Sequence, residues 1–179
     1  MPIEKFQINI SDKALTDLSD RLKNANWAKN MNGDSWELGT NKNVIQPLVS
    51  YWINGYDWRK QEKTLNEYPQ FKCKIDDTDI HFYHIKGKGK NPTPLILSHG
   101  WPDSFFRYQK IIPLLTDPER FGRNANNSFD LIIPSLPGFG FSTLPETKGI
   151  NNSEIADLWK KLMVDELGYE KFGAAGGDM

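Results

Sequence analysis

Two short segments of this sequence contain residues whose types and spacing could perform chemistry. Asp178 follows Gly176-Gly177, and Gly176 leaves room for the backbone to bend tightly before the carboxylate. His99-Gly100-Trp101-Pro102 follows the apolar run Leu95-Ile96-Leu97. A nucleophile on a sharp turn after a strand is one half of a covalent site, and backbone N–H groups that bind an oxyanion are the other half. The sequence therefore predicts covalent catalysis with Asp178 as the nucleophile.

The type of nucleophile decides the chemistry. A carboxylate attacks saturated carbon and gives an alkyl ester that water must cleave, whereas a serine attacks a carbonyl carbon. No G-x-S-x-G occurs, because the segment from Gly140 to Leu144 fails at its last position. A dinucleotide site is disfavoured as well, since Gly138-Phe139-Gly140 is followed by Thr143 where G-x-G-x-x-G requires glycine. Taken alone, an Asp after Gly-Gly is more often a helix cap or turn residue than a nucleophile, so the assignment of Asp178 depends on the upstream segments.

Composition excludes several classes of function. The 179 residues carry 22 basic and 23 acidic side chains, so no nucleic acid or anionic membrane is expected as a partner. Cys73 is the only cysteine and the three histidines lack metal-ligand spacing, so neither a metal nor another cofactor is expected. No apolar stretch approaches the roughly 18 residues of a membrane span, and the first residues do not form a signal peptide. We therefore expect a cytoplasmic protein without a membrane span.

Residues 1–70 form a helical and irregular segment in this interpretation. Leucines at three- and four-residue spacing predict a helix that begins at Ser11-Asp12, and two more helices are expected at about 43–53 and 58–65. The second helix is expected to bury Val44, Leu48, Tyr51 and Trp52. Four tryptophans within this segment require a surface to bury against: Trp27, Trp36, Trp52 and Trp58.

Residues 71–179 have the pattern of an α/β sheet. The predicted elements are, in order, a hairpin from Phe71 to Ile85, a strand at Leu95–Leu97, a helix from Asp103 to Leu115, a strand at Leu131–Ile133, a helix after Asn151-Asn152-Ser153 and a strand from Lys171 to Ala175. Continuous apolar runs suit parallel strands that are buried on both faces. Ligands of open α/β sheets bind beyond the carboxyl ends of the strands. We therefore expect the segments 98–102, 134–142 and 176–178 to meet at one edge.

These motifs together resemble the microsomal-type epoxide hydrolases of the α/β-hydrolase superfamily, over essentially the whole chain. The resemblance implies an α/β fold, with the first half of an α/β-hydrolase sheet (residues 71–179) preceded by a segment (residues 1–70) that wraps the core. The matching pieces are Phe6–Leu22, Tyr51-Trp52, Tyr56–Arg59, Leu65–Phe71, Ile80–His84, His99–Pro102, Pro134–Ser142 and Gly176–Asp178.

The same resemblance assigns roles to individual residues. Asp178 aligns with the nucleophile that opens the epoxide, and the backbone amides of Trp101 and Met179 align with the oxyanion hole. His99, Gly100 and Pro102 belong to the loop beside the substrate, with a cis peptide before Pro102. Met179 departs from the tryptophan that is usual there, which removes an aromatic wall but keeps the amide. The family's base follows the nucleophile in chain order, so His99 is interpreted as a hydrogen bonder that fixes the loop.

The remaining expectations concern what this chain does by itself. His81 and His84 alternate with apolar residues and are interpreted as structural. The family's lid tyrosines, its acid and its catalytic histidine come later than the nucleophile, so the 179 residues alone are expected to be inactive. Self-association through the edge of the strand that ends at Ala175 is expected. The alternatives are a haloalkane dehalogenase-like hydrolase, which shares the Asp nucleophile, and a non-catalytic remnant or binding module of the same fold.

Overall fold

A computed structural model describes residues 2–29, 35–37, 39–145 and 149–178. The chain divides into two compact units: a sheet unit, made of the described residues up to Gln7 and from Leu65 onward, and a helical unit, Ile8–Thr64. The sequence pattern predicts one segment over residues 1–70. The structure instead puts strand β1 (Glu4–Phe6) in the sheet unit, because β1 pairs with strand β2 (Gln70–Ile75).

The helical unit contains three helices close to their predicted positions: α1 (Asp12–Lys23), α2 (Lys42–Asn54) and α3 (Trp58–Leu65). Ser11 caps α1, since its hydroxyl accepts the Ala14 N–H at 3.2 Å. The expected burial of the apolar face of α2 is wrong. Val44, Leu48, Tyr51 and Trp52 are exposed, and the last three line an apolar groove of about 720 Å³ together with Leu15, Leu18 and Leu22 of α1.

The tryptophans of the helical unit are not buried in a common core either. Trp36 and Trp52 are exposed at 58% and 45%, and Trp58 is half-buried. Trp58 is held by a polar contact, because its indole N–H donates to Glu62 Oε1 at 3.2 Å. The same oxygen accepts the Ile10 N–H at 2.7 Å, so Glu62 joins the segment before α1 to α3.

The sheet unit contains the predicted mixed α/β sheet, with strand order β1-β2-β3-β5-β4-β6. Strands β2 and β3 (Thr78–Ile85) form the expected hairpin, which closes over the two-residue turn Asp76-Asp77. Strand β3 pairs antiparallel with β5 (Phe129–Pro134). Strand β4 (Thr93–Ser98) is parallel to β5 on one side and to β6 (Gly173–Gly176) on the other. The order places β4, which leads into His99, directly beside β6, which leads into Asp178.

The connection from β4 to β5 differs from the expected single helix over Asp103–Leu115. It consists of a 3₁₀ turn at Phe105–Tyr108, the short helix α4 (Ile112–Thr116), and further 3₁₀ turns at Pro118–Phe121 and Ala125–Asn127. Pro113 explains the break, because proline is accepted in the first turn of a helix but disrupts an interior position. The helix therefore starts anew at Ile112 instead of continuing from Phe105.

The second crossover helix is confirmed. Helix α5 (Asn152–Lys160) begins with a capping box formed by Asn151 and Glu154, and continues as one π-helical stretch, Lys161–Glu166. Its buried face packs on the sheet and forms the core with residues of β2, β3, β4 and β5. The core members are Cys73, Ile75, Ile80, Phe82, Ile96, Ile132, Leu158, Trp159, Leu162 and Met163.

Candidate active site

Three strand ends meet at one edge of the sheet unit. Because β4 lies between β5 and β6 and is parallel to both, the carboxyl ends of these three strands point the same way. Ser98, the last residue of β4, is the direct partner of Gly176, the last residue of β6. The segments that follow are His99–Pro102, Ser135–Ser142 and Gly177-Asp178. The structure thus brings to one edge the three segments that the sequence analysis singled out.

The backbone turns sharply immediately after β6. Asp178 has a φ of 85°, in the left-handed region that side chains rarely adopt, and it is exposed. Gly176 is closely packed, since a Cβ built there would lie 3.0 Å from the Ser98 carbonyl oxygen. At Gly177 a Cβ would meet nothing within 4 Å. Strained backbone at an exposed carboxylate just after a strand is the conformation that the predicted nucleophile turn requires of Asp178.

His99 fixes the loop that follows β4. It is 3% exposed, and its Nε2 accepts the Leu136 N–H at 3.1 Å. The other ring nitrogen, Nδ1, therefore carries the proton and donates to the Gly100 carbonyl at 3.0 Å. Burial lowers the pKa of His99, so the ring stays neutral and both hydrogen bonds persist at physiological pH. This geometry agrees with a loop-fixing role and leaves neither nitrogen available as a general base.

Trp101 and Pro102 lie at the surface of the edge, whereas Gly100 is buried. The Trp101–Pro102 peptide bond is cis, as the family resemblance implied. The Trp101 side chain is 61% exposed. The base of the loop is held by Ser98, whose carbonyl oxygen accepts the Tyr108 hydroxyl at 2.7 Å and whose hydroxyl accepts the Trp159 indole N–H at 3.2 Å.

His81 and His84 are structural, as predicted. His81 is fully buried, with Nδ1 2.8 Å from Ser135 Oγ and Nε2 2.9 Å from Gln70 Oε1. Burial lowers its pKa to about 3. The Ser135–His81–Gln70 chain is similar in order to a hydrolytic triad, but all three side chains are buried. It is therefore a buried Ser–His pair without access to solvent.

A polar cluster that no sequence pattern predicts lies at the opposite edge of the sheet. The Asp130 carboxylate accepts the Tyr169 hydroxyl at 2.6 Å, the Lys86 ammonium at 2.9 Å and the Gly87 N–H at 2.8 Å. Burial alone would raise the pKa of Asp130, but these hydrogen bonds outweigh it and hold the pKa below its usual value. Tyr169 also contacts His84 Nε2 at 3.0 Å, so the segment that enters β6 is tied to both β5 and β3.

Three further observations bear on the predictions made from the sequence. Met179, the second predicted oxyanion-hole amide, lies outside the described residues. Among residues 2–29, 35–37, 39–145 and 149–178, no group of three potential ligands is placed to hold a metal ion. No helix in the described part of the chain is long and apolar enough to cross a membrane.

Comparison with known proteins identifies the class. The family profile described as "Epoxide hydrolase N terminus" matches residues 3–108, and the profile "alpha/beta hydrolase fold" matches residues 93–179. The chain belongs to the epoxide hydrolase N-terminus family and carries an α/β-hydrolase fold.

Individual relatives agree with this assignment. Epoxide hydrolase 1 of Oryctolagus cuniculus is 41% identical over 180 residues, which cover 98% of this chain and 39% of that protein. The crystal structure of juvenile hormone epoxide hydrolase from Bombyx mori is 34% identical, with a TM-score of 0.87 over 99% of this chain and 42% of that one. The Aspergillus niger epoxide hydrolase structure is 28% identical with a TM-score of 0.87, over 99% and 46%. The chain thus spans about two fifths of the length of these curated relatives.

Proposed function

We propose that Asp178 is the nucleophile of an enzyme that hydrolyses epoxides to vicinal diols. The observation that carries this proposal is the backbone of Asp178, which has a positive φ directly after β6 and beside the His99–Pro102 loop. The family membership supports an epoxide as the small-molecule substrate.

The proposed reaction has two covalent steps. An Asp178 carboxylate oxygen forms a bond to a ring carbon, the ring C–O bond breaks, and the released oxygen takes a proton. Water then adds to the Asp178 Cγ, and the resulting oxyanion is held by the amides of Trp101 and Met179. Breaking the acyl C–O bond releases the diol and restores the carboxylate, which keeps one oxygen from water. No cofactor takes part in either step of this scheme.

The groups that move protons are proposed to come from outside these 179 residues. All three histidines of the sequence lie in the described region, and each uses ring nitrogens in structural hydrogen bonds. A base must reach the water that attacks the ester, within about 2.6–3.2 Å or through one further water. None of the three rings is placed for that task. The proton donor to the epoxide oxygen and the base would therefore be supplied by the remaining portion that longer relatives possess.

The test is isotope transfer in a fusion of residues 1–179 to the remaining portion of the Oryctolagus cuniculus enzyme. A single turnover of styrene oxide in ¹⁸O-water should put one heavy oxygen into the peptide that contains Asp178 and none into the diol. The peptide that contains Asp103, a carboxylate in the loop after β4, serves as the internal control and should stay unlabelled. Label in the diol with none in the Asp178 peptide would overturn the covalent route. Halide release from a chloroalkane without any diol from the epoxide would favour a dehalogenase.

We also propose that the 179-residue chain self-associates through β6. In the described part of the chain, β6 pairs with β4 on one side and with no strand on the other, and Ala174 and Ala175 are exposed. An open apolar strand edge is a template for pairing with another chain. Sedimentation at micromolar concentration should show dimers or larger species, and Ala174→Lys should shift them toward monomer. A sharp monomer boundary for the parent chain would contradict the proposal.

A cytoplasmic location remains a proposal that rests on composition and the single cysteine.

A further inference from the structure

A buried hydrogen-bond chain runs from Gln70, the first residue of strand β2, to His81 in the middle of strand β3. Gln70 directs its amide N–H groups to the Leu65 carbonyl at 3.0 Å and to Asn66 Oδ1 at 2.9 Å, so its oxygen faces His81. His81 Nε2 must therefore carry the proton, and Nδ1 accepts from the Ser135 hydroxyl. Because burial lowers the pKa of His81 to about 3, this tautomer persists at neutral pH.

His81 holds the loop after β5 at both ends. The Ser135 N–H donates to the His81 carbonyl at 2.8 Å, and the His81 N–H donates to Ser142 Oγ at 3.0 Å. The Ser142 hydroxyl in turn donates to the Ser135 carbonyl at 2.8 Å. Gly140, with a φ of 54°, packs against the same point, since a Cβ there would lie 2.6 Å from Ser135 Oγ. The loop from Ser135 to Ser142 is thus closed around one backbone residue of β3.

Aromatic rings prevent the His81 imidazole from turning. Phe105, Phe6 and Phe141 contact its ring edge-on, with ring centroids at 5.0, 5.2 and 5.3 Å. Such packing holds a side chain in one rotamer, because a close-packed interior offers no space for another. The position of Ser135 is therefore set by a ring that is itself fixed on all sides.

The chain continues from this loop to the predicted oxyanion hole. Leu136 follows Ser135 directly, and its N–H donates to His99 Nε2 at 3.1 Å. The His99 ring also donates to the Gly100 carbonyl, and so fixes the orientation of the Gly100–Trp101 peptide, which contains the Trp101 nitrogen. A shift of Ser135 would move the Leu136 N–H, release the His99 ring and free the Gly100–Trp101 peptide.

We propose that His81 is a positioning residue that holds the Trp101 amide in place through Ser135, Leu136 and His99. The kinetic consequence rests on the proposed function, whereas the structural consequence does not. Because the oxyanion forms only when water attacks the ester, loss of the chain should slow ester hydrolysis much more than alkylation of Asp178. One hydrogen bond is worth up to about 10-fold in rate, and a displacement of about 1 Å up to about 100-fold.

The first measurement is ¹⁵N NMR of the His99 ring in the 179-residue chain. The parent should show one neutral tautomer with the proton on Nδ1. The control His84→Gln should keep it, because His84 lies on the same strand and bonds Tyr169 but not the loop. Ser135→Ala and His81→Phe should shift the His99 Nε2 resonance or mix the tautomers. An unchanged His99 spectrum in both variants, or a parent ring that already exchanges between tautomers, would overturn the proposal.

The second measurement separates the two chemical steps in the fusion with the Oryctolagus cuniculus portion. Rapid quench and mass analysis of the Asp178 peptide give the rates at which the ester forms and disappears. Ester hydrolysis should fall by about 10-fold or more in Ser135→Ala, with alkylation changed by less than about 3-fold. His81→Phe should slow ester hydrolysis similarly. His81→Asn, whose Oδ1 can accept a hydrogen bond from the Ser135 hydroxyl, should hydrolyse the ester at most of the parent rate. Equal loss in both steps would overturn the proposal. Absence of alkylation in the parent fusion would instead contradict the proposed function, while the His99 spectrum still decides the positioning role.

Discussion

Replacement of Gly176 and of Gly177 by alanine should have opposite effects, although the two residues are adjacent. A Cβ at Gly176 would lie 3.0 Å from the Ser98 carbonyl oxygen and 3.5 Å from Ser98 Cβ. Ordinary contact begins at 3.4 Å, so β6 must move from β4 by roughly 0.4 Å. A Cβ at Gly177 meets nothing within 4 Å. The prediction is that Gly176→Ala destabilises the sheet unit and Gly177→Ala does not.

The magnitude follows from two effects of known size. Overpacking a close contact costs about 1–3 kcal/mol. Glycine to alanine also restricts the unfolded chain, which stabilises the fold by about 0.4–1 kcal/mol where the alanine fits. The second effect is shared by both variants and cancels in their difference. The free energies of unfolding of Gly176→Ala and Gly177→Ala should therefore differ by about 1–3 kcal/mol, with Gly176→Ala the less stable.

Urea unfolding followed by circular dichroism measures this difference. With a slope of about 2 kcal/mol per molar urea, a difference of 2 kcal/mol separates the two midpoints by about 1 M. In the active fusion, the same displacement of β6 should slow alkylation of Asp178 by up to about 10-fold, because about 1 Å can cost about 100-fold. Equal midpoints, or a lower midpoint for Gly177→Ala, would refute the close packing of β6 on Ser98 as the reason for glycine at 176.

Three further predictions concern the acid response, a helix cap and activity. Because the pKa of Asp130 is lowered in the folded state, its contribution is complete above the unfolded value of about 3.9 and is lost as the pH falls through the folded pKa. Asp130→Asn should thus lower the free energy of unfolding by about 1–3 kcal/mol at pH 7, and its urea midpoint should fall less steeply below about pH 4. A urea midpoint with the same acid dependence as the parent would contradict this. Asn151→Ala should lower the free energy of unfolding by about 1 kcal/mol, because it removes the cap of α5. Asn152→Ala, one residue inside the helix, should leave the free energy of unfolding unchanged, and equal losses in urea unfolding would refute the cap. The 179-residue chain should give no multiple turnovers of styrene oxide, and turnovers that vanish in Asp178→Asn would show that it contains a working base.

Much of the sheet unit could be predicted from sequence because its signals are local. The hairpin follows from alternating apolar residues on either side of an Asp-Asp turn, and β4 and β5 follow from continuous apolar runs. The parallel pairing of β4 with β5 follows from the pattern of strand, crossover and parallel strand, whereas the position of β6 beside β4 does not. The prediction of a single helix over Asp103–Leu115 between β4 and β5 is wrong. It did not take into account that Pro113 favours the first turn of a helix, so that a new helix begins at Ile112.

The helical unit shows a different limit of sequence patterns. Periodicity correctly identifies which residues of α2 share one face, including Leu48, Tyr51 and Trp52. It says nothing of whether another element covers that face. In the described structure these side chains are exposed above an open groove, so the prediction of a shared face holds while the prediction of burial does not.

In the candidate site, the local turns could be predicted from the sequence, whereas the long-range hydrogen bonds could not. This difference explains which residues were missed. The elbow at Asp178 and the turn at His99–Pro102 are recognisable because each consists of neighbouring residues with restricted conformations. The hydrogen bonds to which we assign the positioning of the His99–Pro102 turn join residues far apart in the sequence: Ser135 to His81 across 54 positions and Leu136 to His99 across 37. No pattern within a window of the sequence contains such pairs, and each partner taken alone is an ordinary strand or loop residue. Candidate reactive groups are thus visible in the sequence, whereas the precision of their placement depends on buried pairs that only the fold brings together.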